Sequence, residues 1–466
     1  MATQMKPKRR ENSYDVVIVG AGVLGCALAA AFGKQGRQVL LLERDLSEPD
    51  RIVGELLQPG GVEALVKLGM RDCLEGIDAI PTYGYECIYH GERVTIPYPK
   101  GPDGKAPEGR SFHHGRFIMK LREAARRTPN VTIIETTVRD VIKNNATDQV
   151  LGVICKRKGA DALEEHYFGA LTVSADGYAS NFRKKCINKK PQVRSNFVGL
   201  ELKDAVLPSP NHGHVIMGNN PPVLVYQIGT HETRMLIDMP KMPSAKDGGV
   251  KAHLKNVVLP DLPECIRPSF KAALEADRFP SMPNSFLPAT TNTTPGMVLL
   301  GDAMNMRHPL TGGGMTVAFN DVVLVTELLS PATVPDLEDT DLVLRQMSKF
   351  HWQRKSLTSV VNILAQALYS LFAANDDRLR TLQRGCFEYF RMGGQCIDEP
   401  AALLAGIIRQ PMVLFYHFFA VAFYSMWIMF ANSAVATWPI AFVKSFGVLY
   451  KACVVLMPYI YSEIRA

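Results

Sequence analysis

Gly20-Ala21-Gly22-Val23-Leu24-Gly25 fits the spacing G-x-G-x-x-G, and its flanks say what that spacing is for. An apolar run at 16–19 precedes it; a small-residue helical run at 24–32 follows, then a second apolar run at 39–42 ending on Glu43. Gly20 allows a tight turn, Gly22 lets backbone approach a pyrophosphate, and Gly25 lets helix pack on strand. The anion rests at the helix N-terminus, where free N–H groups and the dipole favour negative charge. Glu43 can accept hydrogen bonds from a ribose 2′-hydroxyl. The chemistry expected is dinucleotide binding; the alternative is a close-packed strand–helix turn. An acid at this point suits FAD or NAD, and Arg44 leaves NADP open from this unit alone.

Two later stretches bear on the choice. LTVSADGYASNFRKK (171–185) is a strand ending in Asp176-Gly177, followed by small polar residues and Arg183. GMVLLGDAMNMRHPLTGGGMTVAFND (296–321) is a strand ending in Gly301-Asp302, followed by Pro309 and the glycines 312, 313 and 314 ahead of a helical run. A glycine inside a helix costs about 1 kcal/mol relative to alanine, so that run needs a reason. His212 and His214, the nearest candidates for a metal pair, read as an exposed polar loop, and His113-His114 as structural or phosphate-adjacent.

The three stretches, in this order, resemble the flavoprotein monooxygenases built like aromatic hydroxylases. The connecting segments narrow this. DRIVGELLQPGG (50–61), SFHHGRFIMKLR (111–122), MRHPLTGGGMTVAFND (306–321), VVNILAQALYSLF (360–372) and LYKACVVLMPYIYSE (449–463) are similar to the squalene epoxidase (squalene monooxygenase) family, and the resemblance runs from about residue 14 to the C-terminus. It implies epoxidation of squalene to 2,3-oxidosqualene with O2 and reduced FAD through a flavin C4a-hydroperoxide, in sterol biosynthesis. It implies that Asp302 contacts the flavin ribityl and pyrophosphate, and that the glycine run clears side chains where backbone lies against the flavin ring. Further FAD contacts are implied for Val23, Leu24, Arg44, Arg51, Arg122, Val138, Gly313, Gly314 and Met315. Tyr85 and Gln58 are implied beside the flavin as catalytic residues, and Phe415, Phe418 and Phe419 as walls of the hydrocarbon pocket or its entrance. With a single G-x-G-x-x-G in the chain, electrons are expected from outside: NADPH through the microsomal NADPH–cytochrome reductase. Vertebrate members carry a longer N-terminal region with a membrane-embedded regulatory segment, and the resemblance does not extend to it. Two alternatives remain: a flavin-dependent hydroxylase or reductase of another isoprenoid or quinone lipid, and a non-catalytic prenyl-lipid escort.

The elements that must hold these residues follow from pattern. Residues 14–44 read as a parallel strand–helix–strand unit with a right-handed crossover. Antiparallel strands are expected over 84–98, a basic amphipathic helix over 116–127, one strand over 131–138, a hairpin over 150–175, strands again over 197–239, and helices from 341 onward. The expected class is α/β: a Rossmann-like FAD-binding domain (14–80, 113–190 and 287–330) interleaved with a β-rich substrate domain (81–112 and 191–286). A C-terminal helical region (331–466) carries a membrane anchor at about 411–461. Residues 1–13 form a disordered basic tail holding Lys6, Lys8, Arg9 and Arg10.

Composition agrees. A chain of 466 residues with 47% hydrophobic and 21% charged residues is globular and too long for one core. A net charge of +7 without a basic repeat gives no ground for a nucleic-acid partner, although the basic tail gives a weak attraction to anionic lipid. Nine scattered cysteines without C-x-x-C predict reduced thiols in a cytosol-facing protein. From 410 to 443 there is no Asp, Glu, Lys or Arg, and a second apolar run covers 445–461. Length permits a membrane span. Lys451, His417, Tyr424 and Trp427 favour a monotopic anchor in one leaflet over a span, and a buried helix pair is the other reading. The expected location is the cytosolic face of the endoplasmic reticulum membrane.

Overall fold

The computed structural model describes residues 12–157, 163–244, 246 and 248–464. The basic run 6–10 lies outside them, and Ser13, expected in the tail, already pairs with Phe168.

Strand Ser13–Val19 lies parallel between Val39–Glu43 and Glu164–Ser174. Val131–Glu135 extends the ladder beyond Val39–Glu43, and Met297–Leu299 runs parallel to the end of Glu164–Ser174. Val150–Lys156 and Thr137–Lys143 complete seven strands in antiparallel fashion. Residues 16–18 and 39–41 are wholly buried, as unbroken apolar strands covered on both faces must be. Helix Val23–Lys34 packs against helices His114–Arg127 and Gly314–Leu328. The strand expected over 131–138 is two strands. Thr136 breaks it, its N–H bonding the Glu43 carbonyl at 2.7 Å, and the chain then leaves the parallel ladder for the antiparallel one. Both halves are rich in β-branched residues, so composition hides the break.

A second seven-stranded sheet runs Ser281–Phe286, Gln192–Lys203, Glu232–Met239, Val223–Gln227, Gly213–Met217, Gly84–Tyr89, Glu92–Pro97. A small third sheet joins Leu56–Leu57, Gly109–Ser111 and Ile80–Thr82 between the two.

The helical stretch expected from 341 is divided into Thr340–Gln353 and Lys355–Phe372. Asp377–Arg391 follows, its N-cap Asp376 accepting from the Leu379 N–H. Helix Pro411–Ala431 crosses it so closely that a Cβ on Gly385 would lie 1.8 Å from Ser425 Oγ. Leu414, His417, Val421, Ala422 and Ser425 form its buried stripe, and Ala441, Ser445, Val448, Ala452, Val455 and Leu456 that of helix Trp438–Ile464. The opposite faces, with Trp427, Phe442, Phe446 and Tyr450, are bare. Both helices are long and apolar enough to cross a membrane. Lys451 and His417 do not face outward as an interfacial role would require. Lys451 pairs with Asp376 at 2.7 Å, and His417 is held between Tyr389 (2.8 Å) and Glu399 (2.7 Å).

Candidate active site

One cavity of roughly 600 Å³ lies where the two large sheets meet, within the usual range of small-molecule sites. Its first wall is the turn after Ser13–Val19. Gly20 has φ +103, and a Cβ there would sit 2.6 Å from the Ala175 carbonyl. Gly25 lies beneath the turn, where a Cβ would be 1.9 Å from the Gly20 oxygen; it packs and does not line the cavity. Gly22 is different. It lines the cavity, and a Cβ there would meet nothing within 4 Å. Packing within the chain therefore gives no reason for its missing side chain, and an entering group does. Val23, Leu24, Glu43, Arg44, Arg51, Arg122 and Val138 also line this end. Glu43 accepts from the N–H groups of Ala21 (2.8 Å) and Arg44 (2.9 Å). Buried Arg122 donates to the carbonyls of Ala21 (3.1 Å), Ser47 (2.8 Å) and Asp45 (3.1 Å), tying the glycine turn to the loop after Glu43. His114 lines the same wall, bonded to the Gly54 carbonyl at 2.8 Å. Burial pulls its pKa down to about 4, so it is neutral.

The second wall brings together the two later motifs. Arg183 donates to the carbonyls of Gly177, Tyr178, Asp302 and Ala303, which locks the segment after Asp176 to the one after Gly301. Asp302 is exposed and faces the cavity, with dense protein behind it. Desolvation raises its pKa, against the pull of Arg307, Arg51 and Arg183. The three glycines have three separate reasons. Gly312 has φ +62, which side chains rarely adopt. Gly313, expected at the cofactor, does not line the cavity; a Cβ there would lie 2.4 Å from Val361 Cγ1, so it makes room for the neighbouring helix. Gly314 lines the cavity beside Met315, and a Cβ on it would meet nothing within 4 Å.

Away from the glycines the walls become apolar: Val215, Leu224, Leu236, Met282, Pro283, Met306 and Leu310. Tyr85 lines this end, and Gln58 lies wholly buried behind it. The Gln58 amide has one orientation that satisfies its neighbours. Its oxygen accepts from Tyr98 at 2.6 Å, and its nitrogen donates to the Tyr85 hydroxyl and to the Thr311 carbonyl at 2.9 Å. Burial pushes the Tyr85 pKa up to about 12, so the phenol keeps its proton. Sequence reasoning missed Tyr98, an ordinary strand-end tyrosine. It also missed the ion pair of Glu55 with Arg234 (2.8 and 2.9 Å), to which Tyr226 adds a bond at 3.3 Å; Glu55 and Tyr226 line the cavity. Partners 179 positions apart leave no local signal.

Phe415, Phe418 and Phe419 are not on this cavity's walls. They stand on the helix Pro411–Ala431, with Phe415 part exposed and its ring 4.6 Å from that of Phe419. His212 is half-buried and bonded to the Pro210 carbonyl, whereas His214 is buried and bonded to the Ser209 N–H and the Val225 carbonyl.

A family model described as squalene epoxidase matches residues 168–443, and one described as glucose inhibited division protein A matches residues 15–192. A squalene epoxidase of Aspergillus fumigatus is 60% identical over 97% of this chain and 94% of its own length. The squalene monooxygenase of Mus musculus is 46% identical, over 97% of this chain and 78% of its own length. Among solved structures, the p-nitrophenol 4-monooxygenase PnpA of Pseudomonas putida superposes with a TM-score of 0.68 at 18% identity, covering 86% of this chain and all of its own. PqsL of Pseudomonas aeruginosa, in complex with 2-aminobenzoylacetate, gives 0.66 at 20%, over 78% of this chain and 97% of its own. The structural likenesses carry the fold. The full-length relatives and a family model over more than half of the sequence carry more: the chain belongs to the squalene epoxidase family.

Proposed function

We propose that the protein is an FAD-dependent monooxygenase that epoxidises squalene to 2,3-oxidosqualene in sterol biosynthesis. One oxygen atom of O2 enters the terminal alkene, the other leaves as water, and NADPH supplies two electrons. The observation that carries this reading is a single cavity with two chemistries: glycine turns, Glu43, Arg122 and Asp302 at one end, an apolar wall with Tyr85 at the other. A Cβ on Gly22 or Gly314 would meet nothing within 4 Å, so both leave room on the cavity wall for a bound group, which is the fit expected for a flavin nucleotide.

On this reading Gly20, Gly22, Glu43 and Arg122 hold the pyrophosphate and ribose end, and Asp302, Gly314 and Met315 hold the ribityl and ring end. Bound flavin supplies oxygen activation. The chain supplies the rest. The apolar wall excludes water and holds an uncharged alkene by shape. The neutral Tyr85, oriented by Gln58, is a hydrogen-bond donor at the boundary between polar and apolar ends. Residues 14–80, 113–190 and 287–330 are proposed as the flavin domain, and 81–112 with 191–286 as the substrate domain.

The helices Pro411–Ala431 and Trp438–Ile464 are read as a monotopic anchor. Their buried stripes, Leu414 to Ser425 and Ala441 to Glu463, pack on the body, which supports a place in one leaflet over a crossing of a bilayer of about 30 Å. Phe415, Phe418 and Phe419 are then assigned to the lipid-side entrance. Electrons are proposed to come from the microsomal NADPH–cytochrome reductase at the cytosolic face of the endoplasmic reticulum. The test is incubation of purified protein with FAD, NADPH, that reductase and squalene, with product identification. Oxidosqualene is expected; a hydroxylated or reduced product of another lipid, with squalene untouched, favours the alternative flavoenzyme.

A further inference from the structure

The apolar helix Trp438–Ile464 ends on a carboxylate, Glu463, that is only 5% exposed. A buried charge is costly unless it is paired and hydrogen-bonded, so its partners matter. Ser359 Oγ donates to one oxygen at 3.0 Å and Asn362 Nδ2 to the other at 2.8 Å, while Lys355 Nζ bonds the Glu463 carbonyl. The same Asn362 nitrogen donates to Asn305 Oδ1 at 3.2 Å. That oxygen also accepts from Arg307 at 2.8 Å and lies 3.5 Å from Arg354, whose guanidinium is paired with Asp321 on the helix that begins at Gly314. Asn305 is thus a junction. On one side it meets the end of the anchor helix; on the other it meets Arg307, which lines the cavity and whose Nε has no partner among the described residues.

Charge points the same way. Arg307 and Arg354 are both buried in this region, beside Lys355. Asp302 and Asp321 oppose them, and Glu463 is the third carboxylate acting on Arg307. Without it, the Arg307 guanidinium, on which Asp302 also acts, loses part of its balance, and the Asn305 junction loses the carboxylate that orients it through Asn362.

We propose that Glu463 is a positioning residue for the cofactor: through Asn362, Asn305 and Arg307 it couples the seating of the anchor helix to the shape of the nucleotide cavity. This rests on the reading that FAD occupies that cavity. A protein whose last helix is unseated then holds its cofactor poorly, while the outward face that meets lipid is unaffected.

The experiment uses the full chain as wild type, Glu463→Gln, Asn362→Ala and the double variant. FAD dissociation constants are read by flavin fluorescence on the cofactor-free protein, with melting temperature and flotation on phosphatidylcholine vesicles measured in parallel. Hydrogen exchange of the amides at 303–314 is followed without cofactor. Each single variant is expected to weaken FAD binding by about 5- to 50-fold, the usual size of a coupling between sites. The double variant should be no worse than the weaker single, exchange at 303–314 should quicken, and flotation should be unchanged. FAD affinity within about twofold of wild type, or strictly additive losses, overturns the proposal. So does a lowered melting temperature with unchanged affinity and exchange, which marks a purely structural residue. Failure of the wild-type chain itself to bind FAD is a different result: it removes the flavin reading, and this inference with it.

Discussion

At Tyr85 the useful property is a proton that is kept. Burial holds the phenol above its ordinary range, against the hydrogen bonds of Tyr98 and Gln58, and Gln58 occupies its oxygen as a donor, so the phenol stays protonated and acts as a donor. Tyr85→Phe removes that donor but leaves Gln58 its bond to the Thr311 carbonyl. The variant is therefore expected to bind FAD normally and melt within a degree or two of wild type. It should turn over about 3- to 10-fold more slowly, the worth of one net hydrogen bond of roughly 0.5–1.5 kcal/mol. Gln58→Ala should differ in kind. It strands the buried Tyr98 hydroxyl, whose acceptor is the Gln58 oxygen, and opens a void. A cost of about 1–3 kcal/mol in urea unfolding is expected, before any effect on turnover. Unchanged turnover in Tyr85→Phe under saturating squalene would remove Tyr85 from the reaction.

The glycine elements give a comparison that sequence could not supply. Gly22 and Gly25 lie in one motif, and Gly313 and Gly314 are neighbours, yet in each pair one glycine serves packing and the other leaves open space. Gly25→Ala and Gly313→Ala push a methyl to 1.9 Å from a carbonyl oxygen and 2.4 Å from Val361 respectively. Both should destabilise the cofactor-free protein by about 1–3 kcal/mol. Gly22→Ala and Gly314→Ala meet nothing, so their melting temperatures without flavin should be near wild type while FAD affinity falls tenfold or more; equal affinity would deny that the cavity accepts the cofactor there. The motifs and the places of most strands along the chain were legible because apolar runs, turn glycines and terminal acids are local signals; the order of the strands in the two sheets was not. The break at Thr136, the Asn305 junction and the Glu55–Arg234 pair were not, because each joins residues far apart in sequence. His417 and Lys451 misled for a related reason: a polar residue in an apolar helix looks interfacial until its partner, on another helix, is known.

For the molecule as a whole, the substrate sets the design. A hydrocarbon dissolved in lipid has already escaped water, so burial in the cavity gains little, and the enzyme must receive it from the bilayer. On the proposed reading the bare faces of the last two helices are the means. Phe423, Trp427 and Phe446 project from them, each more than half exposed and so free of packing duty. Replacing all three by aspartate should therefore leave the fold and FAD content intact. Deleting 411–464 should also release the protein from microsomes, but it would uncover the stripes that pack on the body and remove Glu463, so the triple variant is the cleaner test. Inserting one such side chain is worth about 1.5–3 kcal/mol, so losing three lowers vesicle partitioning by at least about 1,000-fold. Flotation on neutral vesicles at high salt measures this without help from basic residues. Epoxidation of squalene presented in vesicles should fall in step, while squalene presented in detergent micelles should still be turned over, because the cavity is untouched. Wild-type flotation in the triple variant would place the anchor elsewhere. Loss of activity in detergent as well would show that these side chains serve the cavity and not the membrane.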